Sequence, residues 1–231
     1  MIAAGDVISY IEMCQEEGAS LQRGMNFHPR AETSVILMSL RKGAPYADQI
    51  EDDGKTLIYE GHDRSKSANG PNPKKVDQPK TLPSGKLTQN GLFLNAALKA
   101  KSGSATPELV KVYEKIKDGI WVFAGTFQLV DGWQEKSDGR KVFKFKLTSV
   151  PDSIAAGQVA QDGLLHNRLI PTSVKVEVWK RDGGKCVRCG SSDNLHFDHD
   201  IPYSLGGSSK VSKNIQLLCA RHNLQKHDKL E

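Results

Sequence analysis

No stretch of this chain is apolar enough to cross a bilayer: runs such as residues 35–40, with Ser39 inside it, fall far short of the roughly 20 residues a spanning helix needs. The N-terminus lacks the basic start, apolar centre and small-residue cleavage site of a secretory signal, so the chain is expected in the cytoplasm, where thiols stay reduced. Cysteine is scarce, four in 231 residues, and too unevenly placed for a disulfide framework. Cys14 stands alone, while Cys186, Cys189 and Cys219 gather near the C-terminal end, which is the arithmetic of a metal site. Internal repeats and long low-complexity tracts are also missing. A strong charge imbalance is absent too: the formal charge of +5 only mildly favours an acidic partner such as nucleic acid. What remains is the composition of a globular protein, long enough for one large domain or two ordinary ones.

Periodicity then divides the sequence. Residues 6–18 carry Val7, Ile8, Ile11, Met13 and Cys14 at helical spacing and end in Gly18, so a capped helix with Cys14 in the core is expected. Residues 34–40, 56–59, 119–129 and 141–147 read as strands, the last alternating Phe143, Phe145 and Leu147 with Lys144 and Lys146. Residues 62–86 hold four prolines together with Arg64, Lys66, Lys74, Lys75, Lys80 and Lys86, a long basic loop. Residues 87–101 and 106–117 look helical, the second with Pro107 in its first turn and Val110 and Glu114 at i, i+4. Residues 1–150 therefore form an α+β domain with a sheet core. Residues 151–167, rich in Ala, Gly and Gln, are the expected linker to a Cys/His-rich domain over residues 168–231.

Cys186 and Cys189 form one x2-spaced pair and Cys219 and His222 another, with 29 residues between them. Each tight turn can supply two soft ligands, as a tetrahedral Cys3His zinc site needs, and a structural zinc would hold a domain too small to fold on its own core. Buried cysteines of no common purpose are the competing reading. Between the pairs lie Leu195, His196, Phe197, Asp198, His199, Pro202, Gly206, Gly207 and Asn214, and beyond them Asn223, Lys226 and His227. This arrangement closely resembles the HNH nucleases, whose ββα-metal fold carries a catalytic pair on its first strand, an Asn before the second and a last ligand on the helix. The resemblance implies Asp198 as a ligand of the catalytic metal, His199 as general base, Asn214 as the residue that orients the base, and Asn223 as a second metal ligand. His227, one helical turn on, faces the same side and is a candidate third ligand. Oxygen ligands from Asp198 and Asn223 suit Mg2+ or Mn2+. Phosphodiester hydrolysis needs those parts: a near-neutral base for water and a cation for the phosphoryl charge. Residues 174–185 resemble the lead-in helix of many HNH domains.

Upstream, Tyr46, Asp48, Gly54, Tyr59, Glu60, Gly61, His62 and Asp63, followed by Asn90 and by Asp118 and Gly119, resemble the SRA domain, which flips 5-methylcytosine out of the duplex. The resemblance spans about residues 25–150 and implies a curved β-sheet or barrel with flanking helices. It makes Tyr46 and Tyr59 the aromatic walls of the base pocket and Asp48 the acidic reader, with Glu60 beside them. One extra residue before Gly54 leaves Gln49 as the alternative to Asp48, and Lys117 stands where the family has tyrosine. The physical case is that an extruded pyrimidine needs π-faces and an acceptor for its N4 amino group. The competing reading packs both tyrosines in the sheet core and makes Asp48 a turn cap.

An SRA module followed by an HNH nuclease resembles the modification-dependent restriction endonucleases. The resemblance implies a partner, double-stranded DNA with a 5-modified cytosine, and cleavage near that base. One HNH site handles one strand, so a homodimer or two binding events would be needed to break both. The alternatives are an HNH nuclease of different DNA specificity and a non-cleaving reader of modified DNA.

Overall fold

The computed structural model describes residues 2–30, 32–51, 55–68, 70–150, 170–202 and 205–226. The expected linker, residues 151–167, therefore lies outside the described residues, as do Gly54 and His227.

The N-terminal part is built on an eight-stranded sheet. Its strands are β1 (Val7–Ser9), β2 (Met25–Asn26), β3 (Ser34–Met38), β4 (Gln49–Ile50), β5 (Thr56–Glu60), β6 (Glu108–Lys117), β7 (Ile120–Ser137) and β8 (Arg140–Ser149). They run in the order β2-β3-β6-β7-β8-β5-β4, with β1 added to β7. Every pairing is antiparallel except β3 with β6. The hydrogen-bonded path is open among the described residues, so the architecture is α+β with a sheet core. β7 and β8 form the long central hairpin, closed by Asp138 and Gly139, both at positive φ, the dipeptide that suits the twist of a two-residue turn.

Helix α1 (Tyr10–Glu16) starts later than its periodicity predicts because residues 7–9 pair with residues 120–122 of β7. Ser9 then caps it reciprocally with Glu12. Cys14 is half-buried, and its neighbour Met13 is the fully buried residue. Helix α2 (Gln89–Lys101), capped by Thr88, lays Phe93, Leu94 and Ala97 against the sheet. That core is completed by Ile36, Leu57, Tyr59, Val110, Phe127, Phe143, Phe145 and Leu147.

Residues 108–117 are a strand and not the predicted helix. A spacing of four places Val110 and Glu114 on one side of a strand as well as a helix, since four is also a multiple of two. Composition and context decide: β-branched Val110 and Val112 alternate, and β6 is bonded on both edges, by β3 and β7.

The C-terminal part consists of α3 (Thr172–Arg181), a hairpin of β9 (Leu195–His199) and β10 (Ile215–Cys219), and α4 (Ala220–Lys226). It does not have its core to itself. Ile116 of β6 and Val122 of β7 pack with Val174, Val178, Phe197, Ile215 and Leu217 in one apolar cluster. The N-terminal segment lies along the seam: Phe197 N donates to Gly5 O at 3.1 Å and Gly5 N to Phe123 O at 2.8 Å. Glu114, fully buried, receives the Thr172 hydroxyl and the Lys175 ammonium from α3. Removing one member leaves the other charge stranded, so Glu114→Ala is expected to cost on the order of 3–5 kcal/mol in denaturant unfolding. Combining Glu114→Leu with Lys175→Met is expected to recover most of that loss; a double variant as unstable as the single one would show that packing, not charge, holds the seam. No helix among the described residues is long and apolar enough to cross a membrane.

Candidate nuclease centre and candidate base pocket

The two x2-spaced pairs converge. Cys186 Sγ lies 3.4 Å and Cys219 Sγ 3.3 Å from His222 Nδ1, and Cys189 Sγ is 3.8 Å from Cys219 Sγ. All four ligand atoms fall within 4.8 Å of one another. Bonds of about 2.3 Å to sulfur and about 2.0 Å to nitrogen give a tetrahedron with edges of roughly 3.5–3.8 Å, so the four atoms fit zinc. The first pair sits in a knuckle closed by Gly190 N donating to Cys186 O at 2.8 Å; the second joins the end of β10 to the first turn of α4. Burial pushes the Cys186 thiol up, but N–H groups at Cys219, Arg188 and Cys189 and the His222 ring outweigh it, leaving a pKa of about 6 and a thiol ready to ligate as thiolate.

Asp198 and His199 end β9, and α4 lies across the hairpin. Asp198 Oδ2 is 2.7 Å from Lys226 Nζ, whose ammonium also donates to His199 O; Lys226 is 1% exposed. Asn223, half-buried, is three residues before Lys226 on α4 and so on the same side of the helix. The His199 ring is half-buried, and burial holds its pKa below the usual value with help from Lys226 and against the pull of Asp198. Its Nε2 is 2.8 Å from Ser209 Oγ. Asn214, placed just before β10, takes Ile201 N on Oδ1 at 2.8 Å and donates to Ile201 O and Ser208 O. Among the described residues its side chain makes no hydrogen bond to His199. The motif pattern includes Lys226 without giving it a role, and it does not include Ser209. Lys226 carries a signal in its helical spacing from Asn223, whereas nothing in the sequence marks Ser209.

The second site is a cavity of about 690 Å3 in the sheet domain, lined by Tyr46, Asp48, Tyr59, His62, Arg41 and Trp121 among others. The Tyr46 and His62 rings stack at 5.3 Å and 15°, and Lys74 of the basic loop stands 3.9 Å from the Tyr46 centroid. Tyr59, 1% exposed, belongs to the core and also offers its hydroxyl to the cavity, 3.1 Å from His62 Nε2. Gly24 lets the backbone approach this pair, since a Cβ there would lie 2.6 Å from His62 Nε2 and 2.8 Å from the Tyr59 hydroxyl. Asp48 lines the cavity while Gln49 lies on the exposed side of β4. Glu60 points away from it, buried against Lys144 at 3.1 Å and Arg140 at 3.5 Å, and accepts Ala47 N, which fixes the segment between Tyr46 and Asp48. His62 lines the cavity too; the motif pattern includes it, between Gly61 and Asp63, but assigns it no role.

Asp48 Oδ1 accepts Glu60 N at 2.9 Å and Oδ2 accepts Ser39 N at 3.4 Å. Burial nevertheless raises its pKa to about 7, with the Glu60 charge adding to the rise. A carboxyl with a raised folded-state pKa supports the fold in its neutral form: that contribution is complete below about pH 4, the unfolded value, and is lost as pH climbs through about 7. Asp48→Asn, neutral throughout, is expected to flatten the fall in melting temperature between those limits. An unchanged pH profile in the variant would place the titration elsewhere.

Residues 186–229 match the family model of the HNH endonucleases. Over those residues the C-terminal ββα unit, with its Cys3His cluster, is similar to that family. Solved structures that resemble the protein include the SRA domain of SUVH5 in complex with fully methylated CG DNA, 24% identical, TM-score 0.46, covering 65% of this chain and 90% of that one. The same domain bound to fully hydroxymethylated CG DNA is 22% identical, with a TM-score of 0.44 and coverage of 70% and 95%. The modification-dependent TagI restriction endonuclease is 19% identical, with a TM-score of 0.43, covering 97% of this chain and 77% of that one. A search of curated proteins gave no match.

Proposed function

We propose that this protein is a modification-dependent DNA endonuclease: residues 1–150 bind duplex DNA containing 5-methylcytosine or a related 5-modified cytosine by base flipping, and residues 168–231, reached through the linker 151–167, hydrolyse a nearby phosphodiester. The observation that carries this reading is Asp198 and His199 side by side at the end of β9, in a Cys3His-held unit whose residues match the HNH endonucleases. Zinc on Cys186, Cys189, Cys219 and His222 is structural in this reading. Asp198 Oδ1, which no described residue bonds, and the Asn223 amide oxygen make a hard donor set that fits Mg2+ or Mn2+, with His227 the candidate third ligand, a softer donor that would weaken that preference. When bound, such a cation supplies Lewis-acid stabilisation of the phosphoryl charge. His199 takes the proton of the attacking water, Lys226 fixes the Asp198 carboxylate through Oδ2, and Asn214 keeps the loop over the base folded.

In the reader domain, Tyr46 offers aromatic surface to the extruded base, Tyr59 backs the pocket and presents its hydroxyl, Asp48 is an acceptor for the N4 amino group, and Glu60 holds the wall in place. The finer reading of the sheet is the curved SRA-like form. The enzyme would act in the cytoplasm, and a homodimer would bring two sites to the two strands.

The test is cleavage of matched plasmids, one carrying 5-methylcytosine and one unmodified, in Mg2+ and in Mn2+. Cutting of the methylated plasmid alone supports both halves of the reading. Equal cutting of both keeps the nuclease and discards the modified-base reader. Methyl-dependent binding with no cutting in either metal leaves a reader only.

A further inference from the structure

Residues 200–214 connect β9 to β10, and two side-chain facts determine how this loop folds back. Asn214 grips it from within, through Ile201 N and O and through Ser208 O. Gly207 is where the two limbs meet: a Cβ there would lie 1.8 Å from Ile201 O and 2.7 Å from Asn214 Nδ2, so no other residue fits. The doubling-back brings Ser209 under the hairpin, 2% exposed, with its Oγ 2.8 Å from His199 Nε2.

The role that the sequence pattern assigns to Asn214 is thus divided between two residues. Asn214 holds the loop, and the loop's Ser209 touches the ring. A neutral imidazole has one N–H and one lone pair, and the hydrogen bond made by one nitrogen decides which atom carries the proton. With Nε2 engaged by a buried hydroxyl, Nδ1 is the nitrogen left for water.

We propose that Ser209 is the positioning residue for His199: its hydroxyl oxygen accepts the Nε2–H, which fixes that tautomer, aims the ring, and leaves the Nδ1 lone pair to take a proton from water. The assignment rests on the nuclease reading for its purpose, though its geometry can be tested without any cleavage. A serine hydroxyl can also turn and donate, which would put the proton on Nδ1 and disable the base, so the direction of this one hydrogen bond is the point at issue.

The experiment uses the full zinc-loaded protein. Long-range 1H–15N spectra of the imidazole nitrogens would be recorded for the wild type, Ser209→Ala and Ser209→Thr. The His199 signals are assigned by their loss in His199→Gln, practical with seven histidines in the sequence. The expected wild-type pattern is a protonated Nε2 and a pyridine-like Nδ1, retained in the Thr variant and averaged between tautomers in the Ala variant. In cleavage of methylated plasmid, Ser209→Ala is expected to lower kcat on the order of 10–100-fold with KM little changed, and Ser209→Thr to restore it. A wild-type spectrum with Nδ1 protonated overturns the proposal, as does an Ala variant with unaltered tautomer and unaltered kcat. Equal losses in both variants with a shared drop in melting temperature would also overturn it, making Ser209 a packing residue. A protein that cuts no DNA but shows the expected spectra sinks the nuclease reading and keeps the hydrogen-bond assignment.

Discussion

Cys219→Ala is expected to abolish cleavage and to release the zinc ion, one per molecule by elemental analysis in the wild type and none in the variant. Cys219 ends β10 and is also a member of the apolar cluster that α3 and the hairpin share with β6 and β7. Losing it removes one of four ligands whose atoms lie within 4.8 Å of one another, and with it the link between hairpin and α4. Apparent metal-binding energies in zinc-finger peptides reach about 10–16 kcal/mol near neutral pH, more than a unit of this size can replace by packing. The sheet keeps its own core around Phe93, Phe127, Phe143 and Phe145, so the methyl-dependent DNA binding proposed for it should survive. Limited proteolysis should then open the polypeptide beyond β8. A chelated protein whose near-ultraviolet circular dichroism and melting match the untreated one would remove zinc from its structural role.

His199→Ala is the second large effect. Cleavage should fall by roughly 10²–10⁴-fold, the usual contribution of a general base, while zinc content and DNA affinity stay as in the wild type. The ring's contacts predict that separation of effects: its side chain bonds Ser209, and Lys226 bonds the His199 carbonyl, which alanine retains. Lys226 can therefore continue to hold Asp198 in the variant. A loss well below tenfold, under the range such a base supplies, would mean that water is activated by another group and that His199 is structural.

Local spacing makes the metal knuckles legible, because two ligands from one turn leave a fixed signature in the sequence. The same holds for Asp198 and His199 on β9 and for Asn223 on α4, which the ββα order places on their expected elements. β6 reads as a helix because an even spacing serves two periodicities, and only its neighbours β3 and β7 resolve it. Glu60 reads as part of the base pocket by adjacency to Tyr59, yet strand alternation sends it the other way, to Lys144 and Arg140. Ser209 and the pair of Glu114 with Lys175 depend on contacts between distant segments, which no single stretch of sequence records.

The cluster formed by Ile116 and Val122 with the hairpin and α3 packs the two halves of the molecule against each other through side chains. An enzyme assembled in this way carries its own ruler. The offset from recognised base to broken bond would be a dimension of the protein, and mapped cleavage products would end at one discrete position on each strand. Glu114→Ala, which loosens the seam, would blur that position into a ladder while leaving each site's chemistry intact.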